Sequence, residues 1–173
     1  MSVNDKISSE VNTAANPMSV YKILSIEEIH NCSMILSGND IARYLQDCTH
    51  AALLAVTLGS GVDRLIMQTE HSDMANAFLM DSFASRLAEQ TMENLHQSLR
   101  TIIKDNQILI KSRFSPGFGD LPLNIHPQFL KILDAGRKIG LGFTESFLLT
   151  PRKSITAIAG IKTKDTDKGG EGN

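Results

Sequence analysis

The chain has 173 residues with 42% apolar content, which suits one domain with a real core. Its net charge of −2 and pI near 6.2 leave no general electrostatic footprint for nucleic acid. No apolar run approaches the roughly 18 residues of a membrane span, and the polar N-terminus lacks a signal-peptide core; a cytoplasmic protein with neither membrane nor nucleic acid as partner is expected.

Residues 1–17 are polar and aperiodic and read as a disordered tail. Val20 to Ile29 reads as a strand entering a turn near Glu28, and Ser33 to Leu36 as a short strand. Ser37-Gly38-Asn39-Asp40 resembles a capping box with Ser37 as N-cap. The helix after it carries Ile41, Tyr44 and Leu45 on one side. Ala51 to Leu58 is a short apolar run that suits a buried strand, although its composition also suits a helix. It ends at Gly59-Ser60-Gly61. That triplet lacks the Gly-Lys-Ser/Thr of a phosphate loop, so a tight strand-to-helix turn is the better reading.

Ser72 to Lys104 is the longest regular element. Ala84, Leu87, Ala88, Met92, Leu95, Leu99 and Ile102 form an apolar stripe at helical spacing. Asp73 in the first turn and Lys104 in the last suit the helix dipole. Small residues in the first half invite close packing, most simply with the sheet. Asp81 sits among apolar neighbours. It is either a ligand contact or partner for Arg113, or a solvated acid at the stripe's edge. His96 reads as a surface helix residue.

Ile108 to Arg113 reads as a strand. Arg113-Phe114-Ser115-Pro116-Gly117-Phe118-Gly119-Asp120-Leu121-Pro122 follows as a stiff loop with little bulk at its glycines. Arg113 offers a planar fork to a carboxylate or phosphate, or else pairs with a nearby acid. Pro127 to Ala135 reads as a short helix stopped by Gly136. Residues 140–143, 147–150 and 154–161 read as strands or strand fragments. Residues 162–173 are charged and glycine-rich and read as a second disordered tail.

These elements predict an α+β domain over residues 18–161. A mostly antiparallel, twisted sheet should pack against the long helix and shorter helices. Strands that follow one another near the C-terminus favour this over a doubly wound sheet. Cys32 and Cys48 have no CxxC or zinc spacing and read as reduced thiols. The five histidines are scattered, so no metal site is predicted. No HExxH, GxSxG, Walker loop or catalytic-cysteine setting is present, and no catalytic residue is assigned.

The loop from Arg113 to Pro122 resembles the signature loop of the activation domain of cobalamin-dependent methionine synthase, and most closely its small free-standing forms. A second block agrees: Ile139-Gly140-Leu141-Gly142-Phe143-Thr144-Glu145-Ser146, then Pro151-Arg152-Lys153-Ser154. The resemblance implies binding of S-adenosylmethionine and presentation of its methyl group to a cobalamin held by a partner, a methionine synthase or its cobalamin-binding module. Reductive methylation of oxidised cobalamin there draws on an external electron donor.

By position, the resemblance implies that Arg113 matches the family arginine that pairs with the ligand carboxylate, and that Ser115 and Gly117 match loop positions whose backbone contacts the ligand. Phe118 stands where the family usually has tyrosine, so a ring remains and a hydroxyl is lost. Glu145 and Ser146 match a Thr-Glu-Ser run and are candidate ligand or docking contacts; a strand-edge salt bridge is the other reading of Glu145. Two departures stand out. No aromatic follows Lys162, where the fused domain has a tyrosine-bearing segment, and no cysteine follows Cys48, where free-standing forms often carry a cluster. A non-catalytic module that has lost the ligand, and a small enzyme acting on an anionic metabolite, are the competing readings.

Overall fold

The computed structural model describes residues 3–32, 36–105 and 107–163. Along the chain run α1 (Val3–Ala14), β1 (Met18–Ser25), α2 (Ile26–Asn31), α3 (Asn39–Leu45), β2 (His50–Thr57), α4 (Ser60–Glu70) and α5 (Met74–Ile103). Then come β3 (Ile108–Ile110), a 3-10 turn at Leu123–Ile125, α6 (His126–Leu133), α7 (Ala135–Ile139), β4 (Gly142–Phe143), β5 (Leu149–Thr150) and β6 (Ser154–Thr163).

The apolar run of β2 is buried at every position after His50 because both faces of the sheet are covered. Ala51, Leu53 and Ala55 enter one core, while Ala52, Leu54 and Val56 enter another. The two-residue period of a strand does this sorting. Strand order is β1-β2-β6-β3, antiparallel throughout. The first core is closed by Ile41, Phe129, Leu130, Leu133 and Ile139 from α3, α6 and α7. The second is closed by Met92, Leu95 and Leu99 of α5. The α+β class, the antiparallel sheet and the long helix are as the sequence predicts.

Helix α5 has 30 residues, a length of about 45 Å. Its C-terminal half covers the sheet. Its N-terminal half packs instead on two helices: Met80, Ala84 and Ala88 meet Ile7, Val11, Val62 and Ile66. This corrects two expectations. The small residues of α5 admit helices rather than the sheet, and residues 3–14 form α1 rather than belonging to a tail. Ile7 and Val11, one turn apart, are the only buried residues of α1, too few to stand out as a periodic pattern.

Helix ends also differ from expectation. A reciprocal capping box does occur, but at Ser25 and Glu28, where it opens α2 in place of a turn. At α3 the N-cap is Gly38, not Ser37. Asp73 is the N-cap of α5, accepting the Asn76 N–H at 3.0 Å. Asp134, in a left-handed conformation, ends α6, and Gly136 lies inside α7. Lys162 and Thr163 extend β6. Most of the strand expected at Ser33 to Leu36, and the tail from residue 164, lie outside the described residues.

Candidate functional site

Among the described residues β3 is an edge strand, and its regular pairing ends at Ile110 rather than at Arg113. The reason is an inserted side chain. The Gly160 N–H donates to the Tyr44 hydroxyl at 2.7 Å, and that hydroxyl donates to the Ser112 carbonyl at 2.6 Å. One phenol thus replaces a direct rung between the strands. Pairing resumes at Phe114, which exchanges two backbone hydrogen bonds with Ile158. Burial pushes the Tyr44 phenol up to about 12, which keeps its donated proton in place. The Tyr44 ring packs on Phe114 at 5.3 Å between centroids.

The irregular edge opens into a cavity of about 1060 Å³ between α3, α5 and residues 110–119. From α5 come Glu89, Glu93, His96 and Arg100, spaced so that they share one face. Opposite them lies Arg113, whose side chain is 23% exposed. Its Nη2 stands 3.3 Å from Glu93 and 3.5 Å from Glu89. His96 lies 3.0 Å from the Lys111 carbonyl through Nε2. A carbonyl only accepts, so Nε2 carries the proton. His96 is therefore a half-buried wall residue, not a plain surface one. Asp40 and Arg43 of α3, paired at 3.1 Å, form part of the remaining wall.

The loop beyond Arg113 is held by its own backbone. Gly117 N–H donates to Leu121 O at 2.8 Å, Phe118 N–H to Ser115 O and Leu121 N–H to Phe118 O at 3.1 Å each. Gly117 has φ +91°, and a Cβ there would stand 3.2 Å from Leu123. Both facts favour glycine. At the tip Phe118 is 70% exposed on the cavity rim.

Of the residues singled out from sequence, Arg113, Ser115 and Phe118 share the wall of this cavity, and Gly117 lies in the same loop. Asp81 is elsewhere. It pairs with Lys153 at 2.8 Å, and the acids beside Arg113 are Glu89 and Glu93. Glu145 and Ser146 sit in the exposed turn between β4 and β5. A second, more apolar cavity of about 360 Å³ lies next to that turn and has Ser115 in common with the first. Tyr44, Glu89, Glu93 and His126 were not singled out. The polar spacing of Glu89, Glu93, His96 and Arg100 on α5 was the available signal. Among the described residues no group of three His, Cys, Asp or Glu is placed to hold a metal, and no helix is long and apolar enough to cross a membrane.

Fold and site together define an α+β domain with an open, charge-lined groove at its sheet edge. The chain belongs to the family described as vitamin B12 dependent methionine synthase, activation domain, which it matches over residues 39–166. It is also similar to a crystal structure of the MetH reactivation domain bound to AdoHcy. The TM-score is 0.56 at 24% identity, covering 68% of this chain and 40% of that one. At that identity the likeness concerns the fold. The chain spans two-fifths of that relative's length, and α1, β1 and α2 precede the family match.

Proposed function

We propose that this chain holds S-adenosylmethionine in the groove beside Arg113 and serves as a reactivation accessory for a cobalamin-dependent methionine synthase. The observation that carries this is the mostly buried Arg113 fork, flanked by two glutamates on an open groove. The donor set fits such a ligand. Arg113 matches its carboxylate, while Glu89 and Glu93 suit its ammonium and sulfonium. Backbone groups of Ser115 and Gly117 and the Phe118 ring complete the contacts. AdoHcy, named with the solved relative, is the demethylated counterpart of that ligand.

When bound, S-adenosylmethionine supplies an activated methyl group for a cobalamin held by the partner. The chain's own residues bind and orient the donor. The docking face surrounds the Arg113–Pro122 loop and the Thr144–Ser146 turn, and contact there is transient. Electrons come from an external donor, and the setting is the cytoplasm. A second reading draws on one observation: Glu89 and Glu93 already engage Arg113, as they would in a module that has lost its ligand.

Two measurements separate these. Calorimetric titration should show saturable binding of S-adenosylmethionine. In reconstitution, a cognate synthase lacking its own activation domain and held as cob(II)alamin should recover methylcobalamin faster with this chain, given S-adenosylmethionine and a low-potential reductant. Equal recovery with and without the chain rules out the accessory role, and absence of binding leaves the interaction module.

A further inference from the structure

His126 opens α6 and is 3% exposed. Its Nδ1 lies 2.7 Å from the Phe147 carbonyl oxygen and its Nε2 2.9 Å from the Thr156 hydroxyl. Because a carbonyl only accepts, Nδ1 carries the proton, and Nε2 accepts from Thr156 in the neutral ring. One imidazole therefore ties α6 to the β4–β5 turn on one side and to the central strand β6 on the other.

The turn needs such a tie. Phe147 has φ +62°, a left-handed conformation that a bulky side chain adopts only when its surroundings hold it there. Inside the turn, Thr144 N–H donates to Leu148 O and Phe147 N–H to Thr144 O, each at 2.8 Å. Leu148 N–H donates to the Thr144 hydroxyl at 3.2 Å. These bonds shape the turn without fixing it to the domain. Among the described contacts, the hydrogen bond that anchors Phe147 to the rest of the domain is the one from His126. Leu148 and Leu149 follow directly and line the second cavity with His126, Thr156 and Ser115.

We propose that His126 is the positioning residue of this turn. With its proton on Nδ1 it sets how Glu145 and Ser146 are presented and where the Leu148–Leu149 wall stands beside the signature loop. A consequence for docking rests on the function proposed above; the positioning itself does not.

The test uses the full chain. In the native protein, two-bond proton–nitrogen couplings should show the Nδ1-protonated tautomer of His126; the Nε2-protonated tautomer overturns the proposal without any substitution. His126→Asn keeps an N–H near the Nδ1 position, whereas His126→Gln moves its donor toward the Nε2 position. Amide exchange at Thr144, Phe147 and Leu148 should speed up by about tenfold or more in His126→Gln and stay near native in His126→Asn, with the central amides of β6 unchanged in both. Unchanged turn exchange in both variants, or an equal rise across turn and sheet, overturns the proposal. Where the native chain binds a cobalamin-loaded partner, His126→Gln should weaken that binding by about tenfold while S-adenosylmethionine affinity holds; undiminished partner binding overturns the docking role. A native chain that binds neither counts against the proposed function, and the exchange data still decide this inference.

Discussion

The Asp120 carboxylate accepts the backbone N–H of Asn39 at 2.6 Å and also that of Asp40 at 3.1 Å. The end of the signature loop is thereby the cap of α3, whose own N-cap residue, Gly38, supplies no side chain. Gly38 has φ +142°, and a Cβ there would collide with the Asp120 carboxylate. Asp120→Ala should cost about 1 kcal/mol, the scale of a lost helix cap. Because Asp40, Arg43 and Tyr44 ride on α3, the groove should loosen as well. Urea denaturation reads the first effect. Faster amide exchange at Asn39 and Asp40 reads release of the cap that holds α3 in place, and unchanged exchange there would mean that the cap is dispensable.

Arg113→Ala should weaken S-adenosylmethionine binding by about 2–3 kcal/mol, the scale of a hydrogen bond between charged groups. Arg113→Lys should not restore it, since an ammonium cannot form two parallel bonds. Stability should change little, because Glu89 and Glu93 are well exposed and such pairs contribute about 0–1 kcal/mol. Calorimetry beside thermal melting checks both. Lost stability with intact binding would make Arg113 a structural ion pair.

Tyr44→Phe should destabilise the protein by about 1–3 kcal/mol, because it strands the buried Gly160 N–H. The ring contact with Phe114 would survive, so the loss belongs to the hydroxyl. Chemical denaturation of the two proteins gives the number, and a difference within error would show that water replaces the phenol.

The pH dependence follows from His126. Burial pushes its imidazole below the ordinary histidine range, against the smaller opposing effect of the Phe147 carbonyl. The unfolded chain therefore takes up this proton first as pH falls through about 6.5. Above that value the group contributes no pH dependence. Below it, stability falls until the folded-state value is passed. Urea titrations between pH 7.5 and pH 5 should show this slope, and His126→Asn should flatten it.

Much of this protein was written in short stretches of its sequence. The Ala51–Leu58 run, the stripe along Ser72–Lys104 and the consecutive C-terminal strands predicted the α+β class, because each signal is a local period of burial. Arg113 and its loop were less legible from their own chemistry, since glycine, proline and arginine there suit a connecting turn as well as a ligand site; the resemblance to the family's signature loop is what set them apart. What the tertiary structure alone decided was partnership. Glu89 and Glu93, rather than Asp81, face Arg113, and Asp81 faces Lys153. Asp120, rather than Ser37, caps α3, and Tyr44 bridges Ser112 and Gly160. His126 joins a turn and a strand that are 21 and 30 positions away. The physical reason is one of range. Burial periodicity is set by neighbours within a turn or a strand. The partner of a charge or a hydroxyl depends on which segments the strand order β1-β2-β6-β3 and the path of α5 bring side by side.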